Sequence, residues 1–177
     1  MTCDECGFDY ESVAAADAPA AIRAFGRRYR APLTRFLPGE DGTALVRTRP
    51  SPDVWSALEY AAHVADVFDW YDARIRRSLV EDDPAYEGPD PDEAAEDGRY
   101  NEREPSAVVD SLAANADRLA STLESVEASQ WGRTHTRRGE GRTVLFTAQR
   151  AVHEGGHHLL DIGRGMRSLR DQGSVTR

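Results

Sequence analysis

Apolar residues recur every three or four positions through most of this chain, the spacing that gives an α-helix one buried face. Ile22, Phe25, Tyr29, Leu33 and Phe36 mark a first helix between Pro19 and the Pro38-Gly39 pair. Pro32 falls inside that pattern, and its missing N–H and bulky ring predict a kink or an early end. The second helix has the clearest start. Ser56 and Glu59 make the S-x-x-E pattern of a capping box, and Trp55 and Tyr60 occupy the staple positions around it. Val64, Val67, Phe68, Tyr71, Ile75 and Leu79 continue the stripe. A third helix starts after Pro105, with Val109, Leu112, Ala116, Leu119, Leu123 and Val126 at near-heptad spacing. The last opens at Thr143 and runs to about Arg170, with core contacts from Val144, Leu145, Ala148, Val152, Leu159, Ile162 and Met166.

Between these helices, residues 131–142 lack any period and read as a loop, and no strand alternation of useful length appears. The expected fold is therefore all-α, a four-helix bundle, the architecture in which metal sites are built from inward-facing side chains on neighbouring helices. A chain of 177 residues fits one domain. It divides into an N-terminal segment (1–18) with a Cys pair, a helical body (19–170) and a short tail (171–177).

Charge changes the picture at one place. The net charge is −9, and residues 81–104 alone hold eleven acids against two arginines. That stretch, rich in Pro and Gly as well, reads as a long solvated acidic loop between the second and third helices. Nothing forms the basic face that nucleic-acid binding needs. The apolar runs are too short for a membrane span, and the acidic, Cys-containing N-terminus lacks a signal-peptide pattern. A cytoplasmic protein with Cys3 and Cys6 as reduced thiols is expected.

The chemistry sits in "AVHEGGHHLL", residues 151–160. His153-Glu154-Gly155-Gly156-His157 matches H-E-x-x-H, the helix-borne motif of zinc metallopeptidases. Two histidines one turn apart, about 5–6 Å between Cβ atoms, can bind one cation. A metallopeptidase also needs a third ligand downstream, yet after His157 the chain has no His beyond His158 and no Glu, and the metzincin position is Gly163. That leaves the peptidase a remote alternative. Upstream, His63 lies on the flank of the second helix's apolar stripe. Joined to the pair, it would give three imidazoles and an open coordination position, the arrangement of a catalytic site.

The stretches "WSALEYAAHVADV" and "VHEGGHHLLDIGR" resemble the DinB-like superfamily. This superfamily includes bacillithiol S-transferase-like proteins and the metal-binding domain of mycothiol-dependent maleylpyruvate isomerase. The resemblance covers about residues 19–170 and implies a four-helix bundle whose metal ligands are His63, His153 and His157. It further implies Zn²⁺ or Ni²⁺, and a metal-dependent thiol S-transferase or thiol-dependent isomerase acting on small electrophiles with a thiol such as mycothiol. The alternative is a non-catalytic, stress-response module that binds metal or a small ligand. The expected partners are a small-molecule thiol and an electrophile, with a homodimer as an option.

Glu59 and Asp161, four residues from a ligand, and Asp66, three away, are candidates to accept the second imidazole N–H. Trp70, Arg74, Phe146 and Arg150 are expected to line an adjoining pocket. Glu154 and His158 are each offset by about 100° from the neighbouring ligand and so are placed off the metal. His135 falls in the aperiodic stretch. Cys3-x-x-Cys6-Gly7 looks like half of a zinc ribbon without a second Cys pair. It is either a free thiol pair or an accessory metal site completed by other residues or another subunit.

Overall fold

The local signals at the helix starts are met in the computed structural model, which describes residues 1–173. Four long helices form the bundle: α1 (Ala18–Arg28), α4 (Ala57–Val80), α6 (Pro105–Glu124) and α7 (Val144–Asp171). Two short helices, α2 (Arg30–Thr34) and α3 (Gly42–Arg47), link α1 to α4. Pro32 breaks the first helix as expected. It falls in the opening turn of α2, where a helix has no use for its N–H. The helical stripe ends sooner than the sequence suggests, since Phe36 lies beyond α2.

At the start of α4 the Ser56 side chain accepts from Glu59 N at 3.2 Å, and the Glu59 carboxylate accepts from Ser56 N at 2.8 Å. The Trp55 and Tyr60 rings pack at 5.5 Å across this cap. Thr143 caps α7 by accepting from Phe146 N at 3.0 Å, and Pro105 opens α6 at a position that needs no donor. Helix α4 packs against α6 and α7, and α1 closes the bundle against both. Ile22, Phe25, Phe68, Ile75, Leu112 and Leu119 form the centre of the core. No helix among the described residues is long and apolar enough to cross a membrane.

Two expectations are corrected. Residues 131–142 contain a hairpin, β2 (Thr134–Arg137) and β3 (Glu140–Thr143), antiparallel about a two-residue turn. Arg138 and Gly139 supply that turn with φ of 50° and 81°, the two positive values of a type I′ hairpin. Nor is the acidic stretch simply a loop. It holds β1 (Ala85–Tyr86), which pairs parallel with β2, then α5 (Pro91–Asp97) and a 3-10 turn at Tyr100–Glu102. The Asp90 side chain caps α5 by accepting from Asp92 N at 3.0 Å, and acids in the first turn suit the positive end of its dipole. Buried Ala95 and Tyr100 fasten the stretch to the bundle. Each of these elements is too short to leave a periodic trace.

The N-terminal segment lies along α7. A 3-10 turn at Tyr10–Ser12 buries Tyr10 against Phe146 and His153, and Gln149 on α7 donates to Val13 O at 3.1 Å. Of the expected tail 171–177, residues 174–177 lie outside the described residues.

Candidate metal centre

One turn of α7 carries two interleaved pairs of donors. Residues 153 and 157 are one pair; residues 154 and 158, about 100° further round the helix, are the other. The second pair faces α4. His63, Glu154 and His158 bring one ligand atom each to within 4.8 Å of one another. Glu154 Oε2 lies 3.3 Å from His158 Nε2 and 4.0 Å from His63 Nε2. The expected set of His63, His153 and His157 is thereby divided: His63 joins Glu154 and His158, while His153 and His157 meet Cys3 and Cys6. The physical reason is the setting of α7. Ala151, Gly155 and Ile162 are buried, so the face that meets the bundle runs past Glu154 and His158.

Burial pushes the His63 pKa down to about 4, which leaves its imidazole neutral at pH 7. Its Nδ1 is buried and finds no hydrogen-bond partner, although buried polar groups are nearly always paired. Burial also opposes charge on His158. Its contacts with Asp161 and Glu154 outweigh this and raise its pKa to about 9. Glu154 is held well below the usual carboxylate range despite its burial, by His153, His158 and Arg150 around it. Arg150 Nη2 donates to the other carboxylate oxygen, Oε1. His158 Nδ1 lies 3.1 Å from Asp161 Oδ2. With Nδ1 turned to Asp161, Nε2 is the nitrogen that would meet a cation once its proton is displaced, the usual arrangement behind a metal-ligating histidine.

Of the three acids expected to accept an imidazole N–H, Asp161 is the one in hydrogen-bond reach of a histidine of the cluster. Glu59 is engaged by its own helix cap and by Arg49, whose Nη2 donates at 2.7 Å. Asp66 accepts from Arg103 at 3.3 Å. His135 is buried in β2 between Ser78 and Thr147, at 3.4 and 3.3 Å, and takes no part.

A cavity of about 220 Å³ opens beside the His63 cluster. Its walls include Trp55, Trp70, Tyr71 and two prolines of the acidic stretch, Pro89 and Pro91, with Arg74, Arg137 and Arg150 supplying positive charge. Trp70, Arg74 and Arg150, three of the four residues named for an adjoining pocket, line this cavity. Phe146 does not, because its ring packs against Tyr10 at 5.6 Å under the N-terminal segment. A more open cleft of about 680 Å³ lies on the other side of Trp55, but its Arg49 and Glu59 are already paired with each other.

The donor set suits a divalent cation. Two imidazole nitrogens, that of His158 once a cation displaces its proton, and a carboxylate make a three-ligand set that leaves positions open for a small molecule.

Comparison with known proteins bears on the family and the fold. The chain matches the model of the DinB superfamily over residues 24–162. It superposes on YfiT from Bacillus subtilis, described as "a probable metal-dependent hydrolase with an unusual four-helix bundle topology", with a TM-score of 0.79. The two share 18% identity over 92% of this chain and 91% of that one. A mycothiol-dependent maleylpyruvate isomerase superposes with a TM-score of 0.67 at 17% identity, over 88% of this chain and 63% of the isomerase. A conserved protein from Enterococcus faecalis does so with 0.69 at 16% identity, over 89% of this chain and 98% of that one. At this identity the likenesses speak to the fold. Among curated proteins none matches. The family model spans most of the helical body and every donor of the His63 cluster, and on that match the chain belongs to the DinB superfamily.

Proposed function

We propose that this protein is a metal-dependent enzyme that brings a low-molecular-weight thiol against a small electrophile, as an S-transferase or a thiol-dependent isomerase. The observation that carries the reading is the convergence of His63, Glu154 and His158 on a cavity with open room beside the ligands. A divalent cation such as Zn²⁺ or Ni²⁺, when bound, lowers the pKa of a thiol held against it and so supplies a thiolate near neutral pH.

The chain's own residues do the rest. His63 presents a neutral nitrogen because burial disfavours its charge. Asp161 faces Nδ1 of His158 and so turns Nε2 towards the cation, which takes the place of that nitrogen's proton. Arg150 fixes the Glu154 carboxylate through its second oxygen. The Trp55, Trp70 and Tyr71 rings exclude water from the reacting groups. Arg137 Nε is buried without a hydrogen-bond partner, which favours an electrophile with a carboxylate or another anionic group.

The test uses metal-replete protein with mycothiol or bacillithiol and a chromogenic electrophile such as chlorodinitrobenzene. Conjugation should require both metal and thiol, and should disappear in Glu154→Gln. Turnover of an ester or amide without added thiol would instead assign the protein a hydrolytic role of the kind ascribed to the Bacillus protein. Tight metal binding with no chemistry on any substrate would leave a binding module.

A further inference from the structure

Cys3, Cys6, His153 and His157 play no part in the proposed reaction, yet they meet. Each offers one ligand atom, and the four atoms all lie within 4.8 Å of one another. We infer that they form a second, closed metal site, selective for Zn²⁺ or a similar borderline-soft divalent cation, that fastens the N-terminal segment to α7. Two thiolates and two imidazoles are the donor set of structural zinc, and four protein ligands leave no position for substrate. With Zn–S near 2.3 Å and Zn–N near 2.0–2.1 Å, a tetrahedral site needs ligand atoms about 3.3–3.8 Å apart. Small side-chain rotations reach that from the present spacing.

The local backbone is already shaped for this. Gly7 N donates to Cys3 O at 2.8 Å and Cys3 N to Phe8 O at 2.9 Å, so the chain turns tightly around the two sulfurs. Gly7 completes the turn at φ 71°, in the left-handed region that a side chain disfavours. Cys3 Sγ lies 3.9 Å from His157 Nδ1. The opposite nitrogen of that ring, Nε2, lies 3.3 Å from Glu5 and 3.4 Å from Asp161. One nitrogen therefore faces the sulfurs while the other has carboxylates to receive its proton, as metal-ligating imidazoles usually do.

His153 supplies an independent observation. Both of its ring nitrogens are buried and neither has a hydrogen-bond partner. Phe8 and Tyr10 pack their rings against it at 5.4 and 5.1 Å. The nearest carboxylate oxygen, Glu154 Oε1, stands 3.9 Å from Nδ1; an imidazole placed among aromatics without a hydrogen bond at either nitrogen is costly, and a cation beside the two sulfurs would give it a partner. On binding, both cysteine thiols release their protons to solvent, and the two thiolates balance the charge of the cation.

Cobalt substitution tests the site. Reduced, full-length protein loaded with Co²⁺ should show thiolate-to-metal charge-transfer absorption and the intense visible bands of tetrahedral cobalt. Cys3→Ser/Cys6→Ser should lose the charge-transfer absorption, and its zinc content should fall from two ions per chain to one. His63→Ala and Glu154→Gln should keep the absorption, which separates this site from the one in the cavity. Should the double variant prove too loose to purify, the wild-type spectrum decides alone. Cobalt-saturated wild type without thiolate absorption would overturn the inference, as would a charge-transfer band that survives loss of both cysteines.

Discussion

The imidazoles of His157 and His158 are neighbours in sequence, yet their planes stand at 89° with centroids 5.1 Å apart, and they face different groups of donors. A helix turns about 100° per residue, so the two rings leave α7 in different directions, with Asp161 the one acid within reach of both. The interleaving makes each pair separately removable. In a Cys3→Ser/Cys6→Ser background, where only the cavity site remains, Glu154→Gln and His158→Ala should each weaken metal binding by more than about 100-fold, beyond the usual loss for an outer-shell partner. His157→Ala in that background should change it little. Competition with a chromogenic chelator measures this, and equal losses from His157 and His158 would refute the division.

Asp161 stands between the two groups. Its Oδ2 is 3.1 Å from His158 Nδ1 and 3.4 Å from His157 Nε2. It touches no proposed substrate position, so the role we propose for it is to orient ligands. Asp161→Asn should lower metal affinity at the cavity by about 10–100-fold without unfolding the protein. Asp161→Glu should recover part of that loss if orientation is what matters. A variant that keeps full metal affinity would make Asp161 a surface acid and nothing more.

The two glycines of the motif have opposite reasons to be there. A Cβ at Gly155 would meet the Phe25 ring at 2.6 Å, and Phe25 is fully packed in the core. Tyr29 also donates to Gly155 O at 2.8 Å, which pins the backbone at that point. A Cβ at Gly156 would meet nothing within 4 Å. Gly155→Ala should destabilise the protein by about 1–3 kcal/mol through overpacking. Gly156→Ala should stabilise it by about 0.5–1 kcal/mol, because glycine is a poor helix former. Urea denaturation of the two variants compares them directly.

These residues also show what the sequence could reveal. The four long helices were legible because each carries a long apolar stripe, and three of them a strong start: the Ser56–Glu59 box, Pro105, and Thr143. His63 was legible as the one histidine on a confident helix outside α7. The register on α7 was not. A spacing of four residues describes His153–His157 and Glu154–His158 equally well, and the H-E-x-x-H string drew attention to the former. A signal was present. Steps of three and four from Ala151 pass through Gly155, His158, Ile162, Met166 and Leu169, and that is the face α7 turns inward. Glu154, beside that row, falls on the same side. The Cys-x-x-Cys partners were illegible for a different reason, since 154 residues separate Cys3 from His157 and only the tertiary fold joins them. The hairpin and α5 escaped because four to seven residues span too few periods to count.

A last prediction concerns acid stability and Glu59, a residue that sequence spacing had placed behind the metal. Its carboxylate instead closes the α4 cap at Ser56 N and receives Arg49 at 2.7 and 3.0 Å. Burial alone would raise its pKa, but Arg49 and Ser56 outweigh burial and hold it below its ordinary 4.5. The folded state therefore binds this proton more weakly than the unfolded chain does. Stability from Glu59 is fully present above its unfolded pKa, and it is lost as pH falls through that value towards the lower folded one. Urea midpoints measured from pH 6 down to pH 3 should drop more steeply below 4.5 in the wild type than in Glu59→Gln, which keeps a side-chain acceptor for the cap but has no proton to take up. Parallel curves for the two proteins would show that the Arg49–Glu59 pair adds nothing to the acid sensitivity of the fold.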